Sequence, residues 1–198
     1  MGYGNYKDPF ASRRPDYTVG AGEKLELRFT VLPGESREID VAVDLAGEGA
    51  EVSLKGLYLC AGDERVTFRI LVHHRAPGCA SDQLFNGIAA GDSRVRFEGR
   101  IIVAPDAQQT RAFQENHNIV LSEGARVETT PQLEIYADDV KCSHGATVGR
   151  LDENARFYMR SRGVPDRDAR VLQMLSFLAP VTPEEERERI ENAVQKLV

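Results

Sequence analysis

The 198-residue chain has no G-x-S-x-G, no glycine-rich phosphate loop, no H-E-x-x-H and no C-x-x-C. The nucleophile elbow, phosphate cradle, zincin helix and dithiol clip that those spacings build are therefore absent as local motifs. Histidine is scarce, at four residues, which leaves a catalytic or metal constellation few places to form. Cysteine is scarcer. The three thiols, Cys60, Cys79 and Cys142, are odd in number and scattered, which is no disulfide framework. Free thiols persist in reducing compartments, so a cytoplasmic location is expected. No apolar run approaches the length of a membrane span. Residues 1–10 have neither a basic nor an apolar leader region, so no signal peptide is expected there. Basic residues are outnumbered 25 to 31 by acidic ones, giving a net charge of −6 and arguing against a nucleic-acid partner. With 41% hydrophobic and 28% charged residues, the chain has ordinary material for one sizeable core.

What is present changes character along the chain. Residues 1–24 are polar, with no sustained period, and read as an N-terminal arm. Over 25–150, short runs alternate apolar and polar residues with a period of two. Examples are 25–29, 52–54, 66–70, 95–97, 118–121 and 133–136. Small polar turns separate them, and strand starts are expected every 13–16 residues. Three turns share a texture: Gly-Ala-Glu-Val-Ser at 49–53, Asp-Ser-Arg-Val-Arg at 92–96 and Gly-Ala-Arg-Val-Glu at 124–128. The repeat suits a solenoid. A sandwich has similar spacing, and period alone leaves both open.

The segment 151–198 reads as a helical domain. Asp152 is placed to cap a first helix, which Gly163 and Pro165 stop. A second spans about 166–178. A third is expected to open with Thr182 as cap and Pro183 in the first position, its apolar face formed by Ile190, Ala193, Val194 and Leu197.

Few side chains suggest chemistry. His73 and His74 are adjacent, so in a strand they face opposite ways and cannot share an ion. Cys60 follows an apolar run and reads as a buried small hydrophobe, and Cys79 as a turn residue. His117 has a polar setting. Cys142 and His144 differ: in a strand, residues i and i+2 share a face, about 7 Å apart. Thiolate and imidazole both suit iron or zinc, and Asp138 and Asp139 could support them with further contacts. Two ligands do not complete a site that normally takes about four. A carbohydrate-cleaving β-helix would need facing carboxylates. Only Asp138 and Asp139 offer themselves, and neighbours in a strand point apart.

The stretch 131–149, Pro-Gln-Leu-Glu-Ile-Tyr-Ala-Asp-Asp-Val-Lys-Cys-Ser-His-Gly-Ala-Thr-Val-Gly, closely resembles the SufB/SufD family. Its continuation Leu151-Asp152-Glu153 and Phe157-Tyr158-Met159-Arg160-Ser161-Arg162-Gly163 does so too. The region 108–121 is a weaker match, and residues 1–90 match in texture only. Two positions favour the SufD branch. SufB looks like Phe-Thr-Gln-Cys where this chain has Phe113-Gln114-Glu115-Asn116, and like Glu-His-Glu-Ala-Thr where it has Ser143-His144-Gly145-Ala146-Thr147.

The resemblance implies a right-handed parallel β-helix over 25–150 followed by a small C-terminal α-helical domain over 151–198. It implies a non-catalytic scaffold for iron–sulfur cluster assembly, pairing with a SufB-type subunit and docking a SufC-type ATPase through the helices. Leu175, Leu178, Ile190 and Val194 are the candidate docking residues, expected to face either the body of the solenoid or the ATPase. His144, with Cys142 beside it, would face the partner's cysteine. Iron or a nascent cluster would then sit at that interface, with nothing tightly bound to the isolated chain. A self-associating homodimer is the alternative. Family members are longer, so this chain is expected to be a short form or a fragment that begins inside the β-helix.

Overall fold

The computed structural model describes Phe10, residues 14–34 and residues 36–198. Its strands are β1 (Tyr17–Val19), β2 (Lys24–Val31), β3 (Arg37–Leu45), β4 (Glu51–Cys60), β5 (Arg65–His74), β6 (Ala80–Ala89), β7 (Arg94–Val103), β8 (Thr110–Val120), β9 (Arg126–Ile135) and β10 (Val140–Gly149). Every pairing is parallel. One sheet runs β1-β3-β5-β7-β9, the other β10-β8-β6-β4-β2. The chain thus winds a parallel β-solenoid of about five turns, and the sandwich alternative falls. From β2 onward the strand starts lie 13–16 residues apart, because each strand with its corner is half a coil. Of the three similar turns, two stack as a repeat: Val95 pairs with Val127 in one sheet. The third places Val52 in the other sheet.

The arm read over 1–24 is shorter than expected. Tyr17–Val19 pairs with Val43–Leu45, and β2 begins at Lys24, so the solenoid reaches back into that stretch. Residues 1–9 and 11–13 lie outside the described residues. Phe10 is buried on the outer face of the first sheet against Ala42, Leu71 and Ile102, with the Arg100 guanidinium 4.8 Å from its ring centroid.

Alternation sends every second side chain into the lumen. Val66, Phe68, Ile70 and Val72 line one side, and Val52, Leu54, Tyr58 and Cys60 the other. Phe85 anchors the stack, 5.4 Å from Phe68 and 4.9 Å from Phe97 between centroids. Such large rings need gaps opposite. A Cβ on Gly87 would stand 1.7 Å from the Tyr58 ring, so only glycine fits.

Three helices follow: α1 (Glu153–Ser161), α2 (Asp166–Leu178) and α3 (Arg187–Gln195). Asp152 caps α1, its carboxylate accepting from the Asn154 and Ala155 amides at 2.8 and 3.2 Å. Thr182 does not cap α3. Its hydroxyl turns back to donate to the Leu178 carbonyl at 3.0 Å, and Glu184–Glu186 forms a 3-10 turn before α3 begins. Helices α2 and α3 pack on the second sheet's outer face. Met174, Leu178, Ile190 and Val194 bury against Leu57, Leu59, Ile88 and Ile119, and Leu175 packs at the edge of the same cluster. Asn86 fastens the cover, donating to the Phe177 carbonyl at 2.7 Å. Each buried aliphatic side chain contributes about 1.5–3 kcal/mol. Leu178, Ile190 and Val194 are therefore adhesive between helices and solenoid, so of the two expected settings for them, the body or an ATPase surface, these three take the first. An amphipathic pattern records an apolar face, not what covers it.

Candidate functional site at the open end of the solenoid

The site lies on β10, the last strand of its sheet, which among the described residues pairs only with β8. Cys142 stacks on Ala112 and His144 on Gln114. Cys142 packs at the edge of an inner cluster of Ile101, Val103, Ala107 and Ala112, so its side chain faces the lumen. His144, two residues on, shares that face. Cys142 is half-buried and His144 exposed, as befits a strand with no further coil stacked over it. Burial raises the Cys142 thiol above its ordinary pKa, partly offset by a hydrogen bond from the Ala112 backbone, so the thiol is not pre-activated.

Around this pair the end of the solenoid exposes apolar surface. Ile135, Tyr136 and Val148 are 41%, 61% and 50% accessible. Strands β9 and β10 also leave one row of backbone groups without a ladder partner, a ready template for a further strand.

Asp138 and Asp139 occupy the exposed corner before β10. The Asp139 amide donates to Gln108 Oε1 at 2.9 Å, and its carbonyl accepts from the Gln109 amide at 2.6 Å. Among the described residues no three His, Cys, Asp or Glu side chains gather as a metal site, so the aspartates do not complete the Cys142–His144 pair.

Beneath the pair the lumen is polar. Gln114 Nε2 donates to Gln83 Oε1 at 2.8 Å in the coil below. Asn116 donates to the Tyr58 hydroxyl at 2.9 Å and to the Phe85 carbonyl at 3.2 Å. Asn118 donates to Asn116 Oδ1 at 2.8 Å, to the Thr147 carbonyl of β10 at 3.3 Å, and shares a hydrogen bond with Tyr58. Burial pushes the Tyr58 hydroxyl far above its ordinary pKa, which keeps it a neutral donor. This network ties the terminal strand to the interior. The periodic reading of the sequence missed it, because amides in lumen-facing slots interrupt the apolar alternation.

The remaining candidates are placed plainly. His74 turns inward, fully buried, with Nε2 2.9 Å from Ser81 Oγ, while His73 faces outward near Asp44. Cys60 is buried and its thiol is pushed up to about 11, chiefly by burial. Cys79 is also buried, its thiol donating to the Gly47 carbonyl at 3.2 Å. His117 lies on the outer face between Thr147 Oγ1 at 2.9 Å and Glu115 Oε2 at 3.2 Å. No described helix is long and apolar enough to cross a membrane.

Comparison with known proteins agrees with this architecture. Residues 15–177 match the family described as SUF system FeS cluster assembly, SufBD core domain. The iron–sulfur cluster assembly protein SufD of Escherichia coli K12 is 39% identical over 152 residues, 77% of this chain and 36% of that protein. An iron–sulfur cluster assembly SufBD family protein of Mycobacterium bovis is 32% identical over 189 residues, 89% of this chain and 48% of its own length. SufD of Bacillus subtilis is 29% identical over 165 residues, covering 83% and 38%. The chain spans about half or less of the length of these curated relatives. A five-turn parallel solenoid, the 131–163 signature and a match over most of the sequence all agree: the chain belongs to the SufBD core-domain family of the SUF iron–sulfur cluster assembly system.

Proposed function

We propose that the chain is a non-catalytic, SufD-type scaffold subunit that presents the open end of its solenoid, with His144 and Cys142, to a SufB-type partner. The supporting observation is the unpaired edge of β9 and β10, which carries those two side chains within a rim of exposed Ile135, Tyr136 and Val148. Iron or a nascent cluster is cargo here. An imidazole and a thiol are suitable ligands for it, but they are only half of a stable set. The other half comes from the partner, and the isolated chain holds metal weakly. Free Cys60, Cys79 and Cys142 suit a cytoplasmic, reducing setting.

A SufC-type ATPase docks on the helical domain. The faces left open there are those of Phe157, Tyr158 and Leu172, which are 73%, 57% and 51% accessible, with Arg162 stacked 4.4 Å from the Tyr158 ring centroid. Exposed aromatics beside arginine are common anchors of protein interfaces.

A second copy of the chain could pair along the same β9–β10 edge, so self-association is the competing reading. Solution mass, measured alone and after adding the SufB-type subunit, separates them. A monomer that becomes a one-to-one complex supports the proposal; a dimer unmoved by the partner supports the alternative. Ile135→Lys and Val148→Lys should abolish pairing and leave melting unchanged, since both side chains are exposed.

A further inference from the structure

The amide pair beneath His144 has an unfinished end. Gln83, Gln114 and His144 occupy one register column on β6, β8 and β10, coil above coil. Successive coils are about 4.8 Å apart, a spacing at which stacked amides hydrogen-bond as a ladder. The lower rung is made, with Gln114 Nε2 on Gln83 Oε1. Gln114 is fully buried, and its Oε1 has no hydrogen-bond partner among the described residues. A buried acceptor left empty costs about 1–3 kcal/mol, so such atoms normally find a donor.

Across the lumen lies Gly99, whose missing side chain makes room for the amide: a Cβ there would stand 2.3 Å from Gln114 Oε1. One coil further, Gly99 is followed by Pro131, which has no N–H. Flanking Ala112 has no polar side chain, and both Nδ2 bonds of Asn116 go to Tyr58 and Phe85. Two lumen-facing side chains of the terminal coil carry an N–H or O–H donor: the imidazole of His144 and the Thr129 hydroxyl of β9, which is also buried without a partner among the described residues. The register puts His144 directly above the amide, whereas Thr129 stacks on Phe97.

We propose that Gln114, backed by Gln83, is a positioning residue that accepts the ring N–H of His144 and holds that imidazole in one neutral tautomer. The other ring nitrogen then keeps its lone pair directed at the mouth of the solenoid, where it can meet iron or a cluster. This rests on the proposed role of His144, and the test separates the two. The full chain is labelled with 15N-histidine, and the His144 signal is assigned by its loss in His144→Ala. Its tautomer ratio is read by long-range 1H–15N correlation. Gln114→Met keeps the volume and removes the acceptor; Gln114→Leu, the residue type found at Leu54 in the same column, is the second variant should the first not fold. The tautomer ratio is expected to change about two- to tenfold on substitution, the range set by one net hydrogen bond. An identical ratio in wild type and folded variant overturns the proposal. A shifted ratio sustains it even if cluster assembly survives His144→Ala, a result that would remove only the proposed role of His144.

Discussion

Acid should loosen this fold through one buried imidazole. His74 has Nε2 bonded to Ser81 and leaves Nδ1 buried without a partner, a setting that admits only the neutral ring. Burial, and secondarily the neighbouring His73, lower its pKa from 6.5 to about 4. A basic group with a depressed folded pKa is protonated first in the unfolded chain. The stabilisation is thus fully present above pH 6.5 and is lost as the pH falls toward about 4. A gap of roughly 2.5 units, at about 1.36 kcal/mol each, amounts to roughly 3 kcal/mol at the acid end. His73 is also lowered, by burial first and Arg75 second, with Asp44 and Glu134 opposing, so it adds a smaller effect of the same sign. The comparison with His74→Leu isolates the buried ring, because Leu45 already fills the same lumen column. Denaturant unfolding of both proteins across this range should show wild type losing about 3 kcal/mol more than the variant. Parallel stability curves would refute the assignment.

Tyr58→Phe should cost about 1–3 kcal/mol in denaturant unfolding, because it leaves Asn116 and Asn118 polar atoms buried without the hydroxyl they share. Ile190→Ala should destabilise by about 2–5 kcal/mol, the range for truncating a buried aliphatic side chain, with loss of hydrogen-exchange protection in α2 and α3 before the solenoid. Phe157→Ala with Tyr158→Ala should leave melting nearly unchanged and weaken binding of the SufC-type ATPase at least about tenfold, since aromatic anchors exceed about 1.4 kcal/mol. Full-strength ATPase binding by that double variant would move the docking surface elsewhere.

The spacing of strand starts was legible because each half-coil must span a strand and one corner, and this holds from β2 to β10. Which way the strands pair was not, since hairpins and coils both yield period-two runs. The family signature at 131–163 decided it. β1 is three residues long and too short to display a period. The lumen of β6 and β8 places Ser81, Gln83, Gln114, Asn116 and Asn118 in slots that an apolar pattern would reserve for Val or Ile, so the amide network was invisible to hydropathy. For the pair itself, local sequence was sufficient: Cys142 and His144 are two apart on one strand. What surrounds them is set by residues about 30 positions away, and only the register brings Gln114 beneath His144. The helices illustrate the opposite limit. The span of α2 and the Asp152 cap were readable, whereas the start of α3 at Arg187 and the burial of Ile190 and Val194 on Leu57 and Ile88 are tertiary facts.

The central claim is that His144, at the open end of the solenoid, serves cluster assembly across a subunit interface. The direct measurement is iron and acid-labile sulfide per complex, assembled anaerobically with the SufB-type subunit and SufC-type ATPase, for wild type and His144→Ala. His144 is exposed and belongs to no core cluster, so its truncation should leave the chain folded and the mass of the complex unaltered. The account predicts an intact complex with most of its iron and sulfide lost. Full cluster content in the His144→Ala complex would contradict it.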